Sequence, residues 1–491
     1  MITVSDGYAL RAASTIQDTI YILAIPSLSA YFSTGPVKGL TTTGQIVARP
    51  SLVPTQVSPL SATASAGSVS VDVLDVDGYV TGLRRSAPMR GQSATLYIGY
   101  RDLPWADYLA ALPGRISGFD RDATGLSYRI EVADTLDRVD VPVFKEEDVA
   151  AEPWTGGDKS FDSGSLVIRD SDGDSVYDTV LVGGTVGANP LDLLLKLLLS
   201  GGGNGGGYDV WPVWAGAGLT IDDVDVDWIE AERDNILTVN EQFIYRGEVS
   251  AKSFLEEDVC LPLGGYPLVS GTGKLRVQFV NSPGSLSPVL AVTSATILPR
   301  SLKWSDPADN YMSHVIFEFD DDGDGPQTTL KRASPQFLAA TYDEIREHPI
   351  SSKGLQTALG GAGIADAVAD ALFSRYGDPA PRVKFSTFFS RHLAEAGDVI
   401  SLVTDQMPDW DGRGIGSTRL MLCLSVKAGP QKVDFDCLDL TAALTAGERA
   451  IIAPNGQADW TAASDAEKVY AYIASDVTEE MSDGEPAYVW S

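Results

Sequence analysis

Alternating aspartates are the residues of this chain best suited to chemistry. Asp320-x-Asp322-x-Asp324-Gly325 repeats the first half of a calcium loop, in which oxygens at alternate positions and a glycine at the sixth wrap a hard cation. The twelfth position, where a bidentate glutamate completes that shell, is Lys331, and the flanks alternate as strands do. Asp170, Asp172 and Asp174 fail in the same way, with Leu181 at the twelfth position. Aspartate and glycine are also what hairpin turns demand, so both stretches read as turns and no metal is assigned.

The remaining candidates nominate no catalytic group. His314, His348 and His392 are the three histidines, and none has a cysteine or carboxylate pair at ligand spacing. Cys260, Cys423 and Cys437 lack CxxC spacing and read as buried thiols of a protein made in a reducing compartment, with no redox or zinc role. No Gly-x-Ser-x-Gly elbow occurs, and Gly361 and Gly363 only graze the dinucleotide fingerprint. Abundant carboxylates leave a glycosidase-like pair open without pointing to one. Trp211, Trp214 and Trp228 could form a sugar-stacking platform, but aromatics beside glycine and proline more often pack a core or an interface. No cofactor is expected.

What positions these groups is clearest around "LLLKLLLSGGGNGGGYDV", Leu193 to Val210. Asn189 and Pro190 predict an N-cap and a first-turn proline, and the apolar run continues to Leu199, broken only by Lys196. Such a helix is about half the length a bilayer requires, so its leucines belong inside protein. A phosphate cradle places glycines before a helix; here Gly201, Gly202, Gly203, Asn204, Gly205, Gly206 and Gly207 follow its C-terminus. They read as a C-cap entering a hinge or a tight-packing loop, and with Trp211 and Trp214 they form the expected interface or hinge.

Along the rest of the chain, short alternating runs dominate. From Ile2 to about Phe144 the pattern is all β, with a hairpin turning at Asp122 to Gly125. A second hairpin lies in "SLVIRDSDGDSVYDTVLV"; "SAKSFLEEDVCLPLG" reads as helix, and "GYPLVSGTGKLRVQFV" as two strands around Gly271 to Gly273. Strands return near Pro299, Gly363 to Gly377 reads as a helix, and four strand signals follow up to residue 440. The fold expected is mainly β with an α+β insert, multi-domain: residues 1–150 a β domain, 151–300 the mixed insert, 301–445 a second β domain with a helical insert near 335–378, and 446–491 a C-terminal segment.

Composition bounds function. At 491 residues the chain needs several cores, and 44% apolar content supplies them. With 36 Lys+Arg against 67 Asp+Glu, the formal charge of −31 argues against a basic nucleic-acid face or an anionic membrane surface. Neither a signal-peptide pattern nor a membrane-length apolar run is present, which predicts an intracellularly made, soluble protein without stable membrane insertion.

Five stretches together resemble the tail hub proteins, also called baseplate hub or tail tip proteins, of long-tailed, siphovirus-like bacteriophages and gene transfer agents. "VSVDVLDVDGYVTGLRRSAPMRGQSATLYIGYRDLPWADYLAALPGRISGFDRDATGLSYRIEVAD" is similar to the first hub barrel. "NPLDLLLKLLLSGGGNGGGYDV" and "SFLEEDVCLPLGGYPLVSGTGKLRVQ" resemble the family's helix, loop and following hairpin. "EAGDVISLVTDQMPDWDGRGIGSTRLMLCLSV" follows the second barrel, with Ala396 where proline is usual, and "APNGQADWTAASDAEKVYAYIASDVTEEMSDGEPAYVWS" resembles the terminal segment. The resemblance implies two hub-type β-barrel domains plus smaller mixed domains, and a homotrimer whose paired barrels make a pseudo-sixfold ring. It implies partners too: the distal tail protein ring, the tape measure protein, a central fibre or spike and other tail-tip proteins, with transient contact to exiting genomic DNA. The location implied is the distal end of the virion tail, and no catalytic activity is required. Acidic charge lining a channel would repel the genome and ease its passage. Competing readings are a tail-associated hydrolase of peptidoglycan or polysaccharide, and a receptor- or carbohydrate-binding tail protein using the tryptophans.

Overall fold

The computed structural model describes residues 18–440 except 124, 204–206, 236–238, 280–287, 306–310, 336–344, 378–379, 389–391, 408–416 and 430–431, together with 2–3, 5–12, 451–452 and 470–471. Most of the expected C-terminal segment 446–491 therefore lies outside the described residues.

Period-two burial builds the N-terminal part. In Ser68–Leu74 the branched residues Val69, Val71 and Val73 point inward, and the serines and Asp72 between them stay partly exposed, as a pleated half-buried strand requires. The strands are β1 (Thr19–Ile25), β2 (Ala30–Ser33), β3 (Gly44–Gln45), β4 (Ser51–Val53), β5 (Gln56–Ser58), β6 (Thr63–Ser65), β7 (Ser68–Leu74), β8 (Ser93–Tyr100), β9 (Leu109–Arg121) and β10 (Ser127–Ala133). Eight of these form one sheet in the order β3-β2-β1-β8-β9-β10-β7-β4. The predicted hairpin is β9–β10: Gly125 takes a φ of 71° and donates its N–H to the Asp122 carbonyl, 2.9 Å away. Residues 44–53 pass from the β2 edge to β7, through Phe32↔Gly44 and then Ile46↔Val73 and Leu52↔Val69. Both ends of the sheet thus meet on one short stretch of chain, around a core including Phe32, Val71, Leu96 and Ile130.

The insert is mixed, as its sequence predicts. Strands β11 (Lys159–Phe161), β12 (Leu166–Arg169), β13 (Thr179–Val182) and β14 (Phe243–Tyr245) form a four-stranded sheet. Helix α1 (Pro190–Leu199) and helix α2 (Val226–Asn235) lie between β13 and β14 in sequence, and the hairpin β15 (Gly265–Val269) and β16 (Leu275–Phe279) follows. The stretch read as plain helix, after one α turn at Ala251–Ser253, winds as a π-helix over Phe254–Cys260. This wider winding carries two buried acids, Glu256 and Asp258, which find their partners outside the helix.

The C-terminal part contributes β17 (Leu290–Thr293), β18 (Lys303–Ser305), β19 (His314–Asp321), β20 (Pro326–Ala333), β21 (Glu347–Ser351), helix α3 (Gly361–Tyr376), β22 (Arg382–Phe388), β23 (Val399–Val403), β24 (Thr418–Ala428) and β25 (Lys432–Asp439). A second eight-stranded sheet runs β17-β23-β24-β25-β22-β18, with β5 joining β24 and β6 joining β5. A smaller sheet, β20-β19-β21, packs beside α3. Where barrels are expected the chain forms two eight-stranded sheets, and neither closes as one continuous ladder among the described residues.

The parts interlock. β5 and β6, from the N-terminal part, belong to the second sheet, and Glu256 of the insert accepts the Ala64 N–H at 3.1 Å. Asp223 accepts from Arg115 of β9 at 3.2 Å and also pairs with Arg138 at 2.5 Å. Among the described residues no helix is long and apolar enough to cross a membrane.

Candidate functional site

The strongest sequence feature, the leucine helix with its glycine loop, sits at the centre of the insert. Asn189 caps α1 by accepting the Leu191 N–H at 3.0 Å, and Pro190 fills the first turn, where its missing N–H costs nothing. Leu191, Leu193, Leu194, Leu195, Leu197, Leu198 and Leu199 are all buried. Lys196, the one cation in the run, is neutralised by Asp162 at 2.6 Å. The helix is apolar all round because protein surrounds it on every side.

Its C-terminus answers the question posed by the glycines. A helix end leaves four carbonyls without intrahelical partners. Here the chain loops out and returns: Ala217 N–H donates to the Leu197 carbonyl at 2.7 Å, Leu219 N–H to Leu198 at 2.9 Å, and Gly202 N–H to Leu199 at 3.1 Å. Gly201 and Gly203 adopt φ values of 81° and 69°, and Gly201 N–H donates to Asp209 Oδ1 at 2.9 Å. A Cβ on Gly216 would lie 2.0 Å from the Ser200 carbonyl oxygen, so the returning strand approaches the helix end without room for a side chain. Gly202 and Gly203 complete the described start of the loop, Gly207 has open space around it, and Asn204, Gly205 and Gly206 lie outside the described residues.

The tryptophans take separate partners. Trp211 is buried, its backbone N–H donating to Ser200 Oγ at 3.1 Å and its indole to Ser165 Oγ at 3.0 Å. Trp214 is half-buried, donates to Glu152 at 2.9 Å and meets Phe144 and Phe161 edge-on. Trp228 donates to the Val277 carbonyl and carries the Arg276 guanidinium over its ring. The three indoles pack the insert and do not form one exposed stacking surface.

The acidic loops behave as turns. Asp170, Asp172 and Asp174 bring carboxylate oxygens within 4.8 Å of one another. Asp170 accepts the N–H of Gly173 and Ser175, Asp172 that of Asp174, and Asp174 that of Val176. In the other loop Asp320 holds Thr357 and Thr328, while Asp324 pairs with Arg246. Of the histidines, His314 Nδ1 lies 2.9 Å from Ser313 Oγ, and burial lowers the pKa of His348. His392 lies in a two-residue strand pairing with residues 2–3, and its side chain is outside the described residues.

One polar cluster has no local sequence signal. Glu241 is fully buried and neither of its carboxyl oxygens has a hydrogen-bond partner. Burial pushes its pKa well up, and the neighbouring Asp258 adds to the effect. Asp258 itself is raised to about 6 by burial, against the opposing pull of Lys353 at 3.6 Å and the Tyr245 hydroxyl at 2.7 Å. The Glu241 backbone exchanges two hydrogen bonds with Ala188, just before the α1 cap, and Gln242 N–H donates to Gly354. The cluster therefore joins the leucine helix, the four-stranded sheet and the loop after β21. It is closed to solvent at Glu241.

No family model matches the chain, and no curated protein matches it in sequence. In fold it is similar to the 43 kDa tail protein of prophage MuSo2 from Shewanella oneidensis, at 10% identity and a TM-score of 0.43, over 86% of this chain and 99% of that one. It is similar to the tail protein from Neisseria meningitidis MC58, at 10% identity and a TM-score of 0.38, over 86% of this chain and 92% of that one. It is also similar to the E. coli c3393 protein, a type VI secretion component described as structurally similar to T4 phage tail proteins gp27 and gp5; there the identity is 10% and the TM-score 0.37, over 90% of this chain and 86% of the other.

Proposed function

We propose that this protein is the structural hub of a phage tail tip, a homotrimer that closes a sixfold tail tube and adapts it to a threefold tip. The observation that carries the proposal is the presence of two eight-stranded sheets in one chain, locked together by β5 and β6 crossing from one to the other. Three copies present six such sheets around an axis, which is the number a sixfold tube needs to meet. This agrees with the resemblance read from the five sequence stretches.

In this reading residues 1–150 and 301–445 are the ring units and 151–300 the insert, with Gly201 to Gly207, Trp211 and Trp214 near a subunit contact or the axis. Residues 446–491 contact neighbouring tail-tip parts. The distal tail ring, the tape measure and a central fibre or spike are the partners, and the hub opens for DNA ejection. The role is mechanical and needs no cofactor.

Electron microscopy of the native particle, or of the protein reconstituted with its tube partner, tests the proposal. The expected result is three copies in a ring of approximate sixfold symmetry at the distal end of the tail. Single copies decorating the periphery would overturn it.

A further inference from the structure

The two cysteines of the second sheet, far apart in type of context and unremarkable in spacing, are register partners. Cys423 of β24 stands directly opposite Cys437 of β25, their sulfurs are 3.9 Å apart, and both residues are fully buried. The backbone shows which kind of pair this is. Cys423 N–H donates to the Asp398 carbonyl at 2.9 Å and its own carbonyl accepts the Gly397 N–H at 2.7 Å, so both groups face away from β25. In an antiparallel ladder, a residue whose N–H and C=O both face away from its partner strand belongs to a non-hydrogen-bonded pair, the closer kind, with Cα atoms about 4.5 Å apart. That spacing falls within the roughly 4.4–6.8 Å that a disulfide spans.

We propose that Cys423 and Cys437 are a crosslinking site, able to close into a disulfide that staples β24 to β25 in the middle of the second sheet. The co-reactant is a low-molecular-weight disulfide such as oxidised glutathione. One cysteine, as its thiolate, attacks a sulfur of the reagent, whose S–S bond breaks and expels one reduced thiol. The second cysteine thiolate then attacks the mixed disulfide at the protein sulfur, forming the Cys423–Cys437 bond and expelling the second reduced thiol. Two protein protons pass to the two departing thiolates, and two electrons end on the reagent.

Packing decides when this happens. Burial, and then the neighbouring Cys437, raise the Cys423 pKa far above the usual thiol range, and both sulfurs, fully buried, are screened from reagent in the native sheet. Reaction proceeds through opening of the β24–β25 hairpin or during folding, and the same burial then protects the bond from reduction. Cys260 is buried in the insert, away from the other two cysteines, and serves as an internal control.

The test uses the full chain, refolded from denaturant with either oxidised glutathione or a reducing agent, then digested without reduction and mapped by mass spectrometry. The expected product is a peptide pair joined through Cys423 and Cys437, two hydrogens lighter than the reduced pair, with Cys260 free. Unfolding of the oxidised protein in denaturant should be at least tenfold slower. Cys437→Ser should stop at a glutathione adduct on Cys423. Glutathione adducts on both cysteines of the wild-type chain, links involving Cys260, or links between chains would each overturn the proposal. The wild-type map decides the matter even if the variant does not fold.

Discussion

Two residues of the insert carry consequences that can be measured singly. At Gly216 the limit is space: its φ of −125° suits any residue, yet a Cβ would meet the Ser200 carbonyl oxygen at 2.0 Å and its carbon at 2.6 Å. Backbone atoms cannot rotate aside as a side-chain end does. Gly216→Ala is therefore expected to lower stability by about 1–3 kcal/mol, the usual range for overpacking. Gly207→Ala, with open space around the position, should stay within roughly 0.5 kcal/mol. Urea unfolding of both variants checks the contrast, and equal losses would show that loop entropy, not close approach, sets the cost.

Glu241 predicts a pH dependence with a definite sign. Its ordinary pKa is 4.5 and burial raises it in the folded chain. Between those two values the unfolded chain has released the proton and the folded chain has kept it, so stability falls as pH rises, by up to about 1.4 kcal/mol per pH unit. The contribution is fully present below pH 4.5 and lost once the pH passes the folded pKa. Asp258, raised to about 6 from 3.8, adds a slope of the same sign between those values. Glu241→Gln keeps the shape without the titrating proton. Its urea midpoint should match the wild type near pH 4 and exceed it at pH 8; parallel curves across that range would mean the carboxyl is not desolvated in solution.

Individual elements were far more legible in the sequence than the contacts between them. Asn189-Pro190 marked the start of α1, glycine marked its end, and the turns at Gly125 and Asp320 to Gly325 marked two hairpins, because each of these signals is local. In both acidic loops aspartate accepts from neighbouring backbone N–H groups, a local pattern of the same kind. What could not be read was anything set by strand register or by chain return. The closure of α1 by Ala217 and Leu219, the burial of Glu241 beside Asp258, and the facing of Cys423 and Cys437 all depend on segments brought together by folding. The π-winding of Phe254–Cys260 was likewise hidden, its composition being that of an ordinary helix. A prediction follows at this scale. Asn189→Ala removes the side chain that accepts the Leu191 N–H at the α1 N-terminus and should cost about 1 kcal/mol. Hydrogen exchange should show the loss spread over Leu191 to Leu195, whereas a change confined to the first turn would mean that burial alone holds the helix.

At the scale of the whole molecule, charge and assembly oppose each other. Each chain carries −31, and the proposed trimer must bring three of them together. Many of the described acids are already neutralised within the chain, as Asp223 is by Arg115 and Arg138 and Asp436 by Arg382 and Lys384, but the surplus has no internal counterion. Like charges at exposed sites repel across about 10 Å at 0.1 M salt and about 3 Å at 1 M. If the acids are spread evenly over the contact faces, screening must strengthen association. Sedimentation of the purified chain should then show the trimer appearing at lower protein concentration as sodium chloride rises from about 0.05 to 0.5 M, a range over which the screening length falls roughly threefold. A salt-independent equilibrium would instead mean that the acids are segregated away from the contacts, where a channel wall can use them. Weakening of the trimer by salt would show that the contacts themselves are ion pairs.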